Sequence, residues 1–332
     1  MELAKKNGMN IHGGKKSALV NRAIQSAYAP GSTIKMVSAI AGLESGAINK
    51  DDIVCCTGVY PKGHHPKCWI YDVSGRGHGK LNVVGAIKNS CNYFFYEVIS
   101  RMGIENLEKY AKYFGLGEKT NIELPGEVEG TLAGKTLYDK EGKTWYYGNS
   151  LSAVIGQAEN NFTPIQMARY IAMLANGGKK IDVKIVKNIM DNEGKELGKE
   201  NIDRYVSQKL KFKHIENEDL NIKKENLDLV LEGMKSVTTE SGGTAYSVFR
   251  KCPIKVGGKT GSAEAGKGEV NGWFVGFAPF ENPEIAIVVM VENGSHGTYI
   301  AEVVRDIVEE HFKLKNEVQE NVKAVPYTEQ VN

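Results

Sequence analysis

A serine and a lysine lie one helical turn apart at the start of the first strongly apolar segment of the chain. Ser32 and Lys35 follow Pro30-Gly31 and precede the apolar run 36–43. Residues three apart lie on one face of a helix, so the hydroxyl and the amine face the same side. A serine hydroxyl is a weak nucleophile until a base removes its proton. The spacing therefore predicts a helix over 32–44 that presents a nucleophile beside its own base.

A second polar cluster, Ser90-Cys91-Asn92, precedes a predicted helix over 92–102. Ser90 and Asn92 can point into one cleft from the loop before that helix. The serine can relay a proton between the lysine and a leaving group. The asparagine carboxamide can hold a peptide bond of a substrate through both its donor and its acceptor.

The third cluster is Lys259-Thr260-Gly261, and we expect it to end a strand that begins at Ile254. Gly261 has no side chain, so a ligand can lie flat against that edge of the sheet. Lys259 and Thr260 then offer a cation and a hydroxyl to a substrate carboxylate. Ser262 follows with a further hydroxyl and a backbone N–H.

The three clusters must share one pocket for this chemistry to work. Lys35 acts as a base only when it is neutral, so burial and a nearby cation must lower its pKa. Lys259 supplies that cation if the fold brings it close. Taken singly, the motifs also fit ordinary structural roles, such as a helix N-cap at Ser32, Ser90 or Asn92 and a lysine on a sheet edge.

Size and charge exclude several classes of protein. The chain has 332 residues and a formal net charge of +2, with 41% hydrophobic and 25% charged residues. This balance allows one large domain or two lobes, and it lacks the basic surface typical of nucleic-acid binding. No apolar run of about 18 residues is present, and the first residues do not resemble a signal peptide. We therefore expect a cytosolic protein or a soluble piece of a longer one.

The periodicity of the chain predicts an α/β (α+β) protein. Three strands near the C-terminus are linked by short turns, which favours an antiparallel sheet flanked by helices. The region 181–212 alternates weakly and predicts short strands around a turn at residues 191–194. Further helices are expected over 105–114, 164–175, 227–237 and 301–312, and the strands over 254–256, 273–278 and 285–291.

Together the three motifs resemble the S-x-x-K, serine-x-asparagine and K-T-G elements of penicillin-binding proteins and β-lactamases. The chain looks most similar to the transpeptidase domain of a class B penicillin-binding protein of the elongation, or rod-shape, type, over about residues 20–312. The likeness extends to Asn21-Arg22-Ala23-Ile24, Gly77-His78-Gly79, Ile155-Gly156-Gln157, Thr163-Pro164-Ile165-Gln166, Ala175-Asn176-Gly177-Gly178, Gly243-Thr244-Ala245 and Trp273-Phe274-Val275-Gly276-Phe277-Ala278-Pro279.

The resemblance implies the penicillin-binding transpeptidase fold, shared with serine β-lactamases, and D,D-transpeptidase activity on peptidoglycan stem peptides that end in D-Ala–D-Ala. Ser32 would form the acyl-enzyme, with an oxyanion hole from the backbone N–H groups of Ser32 and Ser262. β-Lactam antibiotics would acylate the same serine. Relatives work at the extracytoplasmic face of the bacterial membrane with a polytopic glycosyltransferase, through regions absent here. No organic cofactor and no nucleic acid are expected.

The resemblance also predicts the domain boundaries. We expect a lead-in or junction over 1–20, the transpeptidase domain over 21–314 with a helical lobe over about 36–180, and a flexible tail over 315–332. Relatives carry a strand pair and a non-catalytic pedestal, after a membrane anchor, ahead of the first motif. Because only 31 residues precede Ser32, we expect the central sheet to lack strands. Many relatives have threonine where this chain has Ser262, and the hydroxyl is kept.

Four of the five cysteines lie within one segment that is also rich in histidine, a combination typical of metal ligation rather than of a disulfide framework. We predict a structural tetrahedral Zn²⁺ held by Cys56, Cys68, His78 and Cys91. If Ser90 and Asn92 face the cleft, Cys91 faces away from it and can anchor the second motif from behind. Some elongation-type relatives carry a metal in a comparable place. Cys55 could take the place of Cys56, and Asp72, His64 or His65 could take the place of another ligand. The alternative to a metal site is a set of reduced, buried thiols.

Two other functions share the same motifs. A serine β-lactamase or D,D-carboxypeptidase would hydrolyse the acyl-enzyme instead of transferring it. A penicillin-sensing receptor domain would be acylated without turnover. The class B signatures in the central and C-terminal parts of the chain favour the transpeptidase over the sensor.

Overall fold

The computed structural model describes residues 19–198, 200–201, 204, 221–266 and 268–323 of the chain. The strands are β1 (Val54–Cys56), β2 (Gly79–Leu81), β3 (Gly257–Glu264), β4 (Val270–Ala278) and β5 (Ile285–Val291). The main helices are α1 (Arg22–Gln25), α2 (Lys35–Glu44), α3 (Trp69–Ser74), α4 (Val83–Lys88), α5 (Asn92–Met102), α6 (Ile104–Tyr113), α7 (Lys135–Lys140), α8 (Tyr147–Ala153), α9 (Pro164–Ala175), α10 (Lys224–Thr239), α11 (Tyr246–Phe249) and α12 (Gly297–Lys323). A 3₁₀ turn over Gly31–Ile34 leads into α2. The predicted α/β class is confirmed.

The larger sheet has the strand order β3-β4-β5, and both neighbouring pairs are antiparallel, as predicted. The central strand β4 is buried along its length except at Val270. Helices α9 and α12 pack against β4 and β5, and α10 packs against β3. β3 is an edge strand, and it lies against the 3₁₀ turn. This contact brings the third sequence motif beside the first.

The first strand of this sheet does not begin at Ile254 as predicted, but at Gly257. Two phenylalanine rings explain the difference. A Cβ at Gly257 would lie 2.5 Å from Cζ of Phe277, and one at Gly258 would lie 2.4 Å from Cζ of Phe274. Only residues without a side chain fit beneath these rings. A glycine pair that is typical of turns therefore forms part of a strand, and Lys259-Thr260-Gly261 lies near its middle instead of at its end.

Helix α2 is the central helix of the helical lobe. Every residue from Lys35 to Leu43 is buried, in keeping with a helix that is apolar on all sides. Helices α5 and α6 pack on it. Gly42 allows the approach of α5, since a Cβ there would lie 2.7 Å from Cγ1 of Val98. The lysine that the sequence assigns as a base is thus held in the interior of the protein.

Two helices match their predicted bounds. Helix α5 spans Asn92–Met102, and α9 begins at Pro164 after a capping box. In that box Thr163 Oγ1 accepts from the N–H of Gln166, while Oε1 of Gln166 accepts from the N–H of Thr163. Helix α6 begins at Ile104 and ends at Tyr113, one residue before each predicted bound, and α10 is longer than predicted at both ends.

The closing helix differs from its prediction more strongly. Helix α12 begins at Gly297 and runs to Lys323, past the predicted end near Phe312 and into the region expected to be a flexible tail. Residues 313–323 contain no glycine or proline, so nothing in the sequence interrupts the helix. The rest of the predicted tail, residues 324–332, and residues 1–18 of the predicted lead-in lie outside the described residues.

The segment 181–212 was expected to carry short strands. In its described part, up to residue 198, a single isolated bridge joins Met190 and Glu196 across the predicted turn. Asp191 stabilises this turn, because its Oδ1 accepts from the N–H groups of Glu193 and Lys195. Most of the remainder of the segment lies outside the described residues.

The Cys- and His-rich segment 50–80 contains regular elements. Strands β1 and β2 pair antiparallel, with Cys55 opposite Lys80, and helix α3 lies between them in sequence. Within the ranges that the structure describes, no helix is both long and apolar enough to span a lipid bilayer.

The glycines beneath the phenylalanine rings yield a prediction about stability. Gly258→Ala places a methyl group against the buried ring of Phe274, and overpacking of this kind costs about 1–3 kcal/mol of unfolding free energy. Gly198→Ala is the matched control, because a Cβ there meets no atom within 4 Å. Denaturant unfolding of both variants measures the difference. Equal unfolding midpoints would contradict the packing account.

Candidate functional site

Ser32 lies within the 3₁₀ turn and is partly exposed, while its two neighbours are buried. The turn depends on Gly31, whose φ of +53° falls in the left-handed region. The N–H of Gly31 donates to the carbonyl of Gly156 at 3.0 Å. A Cβ at Gly31 would lie 2.6 Å from the carbonyl oxygen of Ser262. Gly31 is thus enclosed by two other main-chain segments, and this fixes the backbone of Ser262 beside the turn that carries Ser32.

The amine of Lys35 is fully buried and is surrounded by oxygen acceptors. Its Nζ donates to the carbonyl of Ser90 at 2.8 Å and to Oδ1 of Asn92 at 2.6 Å. A third contact, of 3.3 Å, reaches Oγ of Ser90. Two of the three sequence motifs are therefore joined directly. Lys35 is the first residue of α2, and Asn92 is the first residue of α5. The starts of the two helices therefore lie next to each other at this site.

Lys259 joins the third motif to the same network. Its Nζ is fully buried and donates to Oγ of Ser90 at 2.9 Å and to the carbonyl of Thr260 at 2.8 Å. The Ser90 hydroxyl thus lies between the two lysine amines. Ser90 has a φ of +52°, which is uncommon for a residue with a side chain. Such strain is held only where the surroundings impose it, and it is frequent at functional sites.

Burial lowers the pKa of both lysines. For Lys35, burial brings the pKa to about 8, although the nearby thiols of Cys68 and Cys91 oppose the change. For Lys259, burial holds the pKa well below its usual range, and the charge on Lys35 lowers it further. The sequence predicted that the charge of Lys259 would lower the pKa of Lys35. Burial is instead the leading cause for Lys35, and the charge effect is found on Lys259.

The edge of β3 carries the remaining predicted residues. A Cβ at Gly261 would lie 2.7 Å from Cγ2 of Thr33, so the missing side chain allows the strand to contact the 3₁₀ turn. The hydroxyls of Thr260 and Thr244 lie 2.7 Å apart. Ser262 Oγ accepts from the N–H of Gly297 at 3.4 Å. The eight predicted catalytic and substrate-binding residues therefore surround one site.

Thr244 is a site residue to which the sequence assigned no role. It lies between α10 and α11 and orients the hydroxyl of Thr260 through the contact between their Oγ1 atoms. Its carbonyl accepts from Oγ1 of Thr298, near the start of α12. The Gly243-Thr244-Ala245 segment was the available signal, but a single polar residue in a short loop does not reveal which strand it will face.

A second cluster lies behind Asn92 and Ser90. The ligand atoms of Cys56, Cys68, His78 and Cys91 all lie within 4.8 Å of one another. Nδ1 of His78 is 3.5 Å from Sγ of Cys68 and 3.8 Å from Sγ of Cys56, and the Sγ atoms of Cys68 and Cys91 are 3.9 Å apart. All three thiols are buried. The structure thus brings the four predicted ligands together.

The alternative ligands lie elsewhere or point away. Cys55 is exposed, because successive side chains of β1 alternate between the two faces of the strand. The Asp72 carboxylate is 62% exposed and contacts Lys67 at 3.3 Å. His64 lies beside Gly148, where a Cβ would meet its ring at 3.3 Å. None of these side chains belongs to the compact group of four.

The thiols of the four-residue cluster favour positive charge on His78. Burial lowers the pKa of His78, but the thiols of Cys56 and Cys68 more than offset this and raise it to about 9. Hydrogen bonds from Cys56 and Cys91 hold the pKa of the Cys68 thiol far below its usual value. The Nε2 atom of His78 is buried and has no hydrogen-bond partner among the described residues. Only Nδ1 of this ring faces the sulfur atoms.

Two contacts connect the cluster to the catalytic network. Sγ of Cys91 accepts from the N–H of Phe94 and so caps the start of α5. Nε1 of Trp69, which follows Cys68 in the chain, donates to the carbonyl of Ser90 at 3.1 Å. The cluster therefore holds the segment that carries the second motif from the side opposite the lysines.

Comparisons with known proteins agree with this geometry. The family model described as "Penicillin binding protein transpeptidase domain" matches residues 3–309. The curated protein "Peptidoglycan D,D-transpeptidase MrdA" of Escherichia coli (strain K12) is 30% identical over an alignment of 314 positions, which covers 89% of this chain and 47% of that protein. The chain thus spans about half the length of the curated relatives that it matches.

Solved structures give the same result. The Pseudomonas aeruginosa PBP2 in complex with WCK 5153 has a TM-score of 0.78 and 30% identity, covering 93% of this chain and 65% of that one. The complex between PBP2 and MreC from Helicobacter pylori has a TM-score of 0.76 and 25% identity, covering 95% of this chain and 54% of that one. The fold inferred from the sequence is therefore confirmed.

Proposed function

The chain belongs to the penicillin-binding protein transpeptidase family, and from that membership we propose that it is a peptidoglycan D,D-transpeptidase of the elongation type. The observation that carries the proposal is the buried network of Lys35, Ser90, Asn92 and Lys259 beside Ser32. Its substrates are stem peptides that end in D-Ala–D-Ala. The E. coli relative supports the assignment, since its name gives the same activity.

In the first half of the reaction, Oγ of Ser32 attacks the carbonyl carbon of the penultimate D-Ala. Neutral Lys35 accepts the hydroxyl proton, and Ser90 relays a proton to the nitrogen of the terminal D-Ala as the C–N bond breaks. The products are an ester on Ser32 and free D-Ala. The contacts of the Ser90 hydroxyl with both lysine amines support this relay.

In the second half, an amine of a neighbouring stem peptide attacks the ester carbonyl. A new amide bond forms, the ester bond to Ser32 breaks, and the serine recovers its proton. The Asn92 carboxamide orients the peptide backbone of the substrate. The backbone N–H groups of Ser32 and Ser262 stabilise the oxyanion that develops in both halves. The proximity of Gly31 to the Ser262 main chain supports this pairing.

The substrate carboxylate binds at the β3 edge. Lys259 and the Thr260 hydroxyl provide a cation and a donor, and Thr244 orients that hydroxyl. Gly261 keeps the strand close to the turn that carries Ser32. A β-lactam, which carries a carboxylate beside its strained amide, fits the same arrangement and leaves a stable ester on Ser32.

We also propose that Cys56, Cys68, His78 and Cys91 hold one structural Zn²⁺. For Zn–S and Zn–N bonds of about 2.3 and 2.05 Å, a tetrahedral site separates sulfur atoms by about 3.8 Å and sulfur from nitrogen by about 3.5 Å. Three distances lie close to this spacing: 3.9 Å between Sγ of Cys68 and Sγ of Cys91, and 3.5 and 3.8 Å from Nδ1 of His78 to Sγ of Cys68 and Sγ of Cys56. The ion would supply folding energy and would take no part in acyl transfer.

The proposed function includes a cellular setting. We propose that the protein works at the extracytoplasmic face of the bacterial membrane, together with a polytopic glycosyltransferase that it contacts through regions outside these 332 residues. The Helicobacter pylori PBP2 was captured with MreC, which supports the view that transpeptidases of this type work in assemblies.

We predict that Ser32→Ala lowers covalent labelling by a fluorescent penicillin at least about a hundredfold, because no other hydroxyl can replace the nucleophile. Ser45→Ala is the control, since the Ser45 hydroxyl donates to the Gly42 carbonyl at the end of α2 opposite to Lys35. Mass spectrometry with peptide mapping of the penicillin-treated wild type should find the adduct on Ser32. Persistent labelling of Ser32→Ala would refute the assignment.

Reactions with nitrocefin and with a stem peptide distinguish a transpeptidase from the alternative functions. With nitrocefin we expect one stoichiometric burst, whereas rapid turnover would favour the β-lactamase interpretation. With a stem peptide and an acceptor amine we expect a cross-linked product. Acylation without any cross-linking would favour the penicillin-sensing receptor, and release of D-Ala with hydrolysis alone would favour a carboxypeptidase.

The acylation rate should depend on pH through Lys35. Burial lowers the pKa of Lys35 to about 8, so the amine is neutral and able to accept a proton above that pH and protonated below it. The rate constant for acylation should therefore rise about tenfold per pH unit on the acidic side and level off above about pH 8. Stopped-flow measurements with a chromogenic β-lactam test this. A rate that is constant from pH 6 to pH 9 would exclude Lys35 as the base.

Purified protein should contain about one equivalent of zinc. Cys91→Ser should lose the metal and lower the melting temperature, while Cys252→Ser, which changes a thiol outside the cluster, should keep both unchanged. Elemental analysis and thermal unfolding with and without a chelator measure these effects. Zinc-free protein with Cys56, Cys68 and Cys91 freely alkylated in the native state would end the proposal.

A further inference from the structure

A buried tyrosine hydroxyl lies at the junction between the 3₁₀ turn and helix α2. Tyr170, on α9, donates from its hydroxyl to the carbonyl of Thr33 at 3.1 Å. Both residues are fully buried. The hydroxyl thus holds the main chain of the residue that follows Ser32 and lies two residues before Lys35.

The burial of Thr33 explains why its carbonyl needs a donor. A main-chain carbonyl that is buried without a hydrogen-bond partner costs free energy. Water cannot reach Thr33, because the residue is fully buried. The hydroxyl of Tyr170 supplies a donor from another helix.

We propose that Tyr170 is a positioning residue for acyl transfer, which fixes the turn that displays Ser32 relative to the helix that displays Lys35. The proposal rests on the proposed function, in which these two residues are nucleophile and base. Tyr170 lies beneath the junction and does not line the site, so it touches neither the substrate nor the reacting atoms. It acts through the main chain of Thr33.

The reaction is sensitive to the relation between these two segments. The nucleophile belongs to the 3₁₀ turn and the base to the α-helix, and the two kinds of helix place successive side chains at different angles. A rotation at their junction would change the distance between the hydroxyl of Ser32 and the amine of Lys35. A misplacement of about 1 Å can lower a rate about a hundredfold. The hydrogen bond from Tyr170 to the Thr33 carbonyl opposes such a rotation.

Tyr170 is itself held firmly. Its ring packs edge-on against Phe114 with a centroid distance of 5.4 Å. Helix α9 packs on β4 and β5, and its start is fixed by the capping box of Thr163 and Gln166. The tyrosine therefore ties the turn that carries the nucleophile to the sheet side of the protein.

The test compares Tyr170→Phe with the wild type under single-turnover acylation by a chromogenic β-lactam. The variant keeps the ring and removes only the hydroxyl. We expect the acylation rate constant to fall about tenfold to a hundredfold, while the dissociation constant of the non-covalent complex changes less than about twofold. Tyr110→Phe, which removes the hydroxyl of a mostly buried tyrosine on α6, should leave both constants unchanged.

Two results would overturn the proposal. One is an unchanged acylation rate constant in folded Tyr170→Phe. The other is a fall in apparent rate that disappears once activity is normalised to the folded fraction, which would assign Tyr170 a purely structural role. The proposed function has a separate readout: if the wild type and Tyr110→Phe are not acylated at Ser32, the transpeptidase assignment fails instead.

A second measurement needs no variant and applies even if Tyr170→Phe does not fold. In the unmodified protein, the hydroxyl proton of Tyr170 should give a nuclear magnetic resonance signal that exchanges slowly with solvent, because this proton is bonded to the buried Thr33 carbonyl. Rapid exchange of the Tyr170 hydroxyl proton would contradict the hydrogen bond on which the proposal rests.

Discussion

The hydroxyl of Ser90 lies between two buried lysine amines, and the site depends on this arrangement. Burying one unpaired ammonium group is costly, and burying two close together is more so. The protein meets this cost with a dense set of oxygen acceptors around Lys35 and Lys259 and with lowered pKa values. The outcome is a lysine that can lose its proton near neutral pH. In the proposed reaction, that property allows Lys35 to activate Ser32 as the nucleophile.

Each neighbouring element contributes to holding this arrangement. The apolar surface of α2 buries Lys35, and the contact of β3 with the 3₁₀ turn brings Lys259 to it. The Cys–His cluster supports the segment of Ser90 from behind, and Trp69 adds a hydrogen bond to the Ser90 carbonyl. Tyr170 fixes the junction ahead of Lys35. Packing and hydrogen bonding thus keep a strained backbone at Ser90 in place.

The chemistry was readable from the sequence because it depends on a few residue types at short, fixed spacing. Ser32 and Lys35 lie one turn apart, and the amphipathic helices and the C-terminal strands follow from periodicity. The strand start at Gly257 was missed, because residue propensity assigns a pair of glycines to a turn. The pair lies in the strand because the rings of Phe274 and Phe277 leave no room for side chains there, which the sequence does not reveal. Thr244 and Tyr170 were missed as well, since their roles arise from contacts between segments distant in the chain. The clustering of four ligand side chains was foreseen from composition, although their mutual distances were not.

The most direct measurement of the central claim is a crystal structure of the protein after reaction with a penicillin. The account predicts an ester on Oγ of Ser32, with Nζ of Lys35 and Oγ of Ser90 on one side of it. It also predicts that the ligand carboxylate contacts Lys259 and Thr260. Covalent density on another residue, or a carboxylate that points away from β3, would contradict the shared pocket.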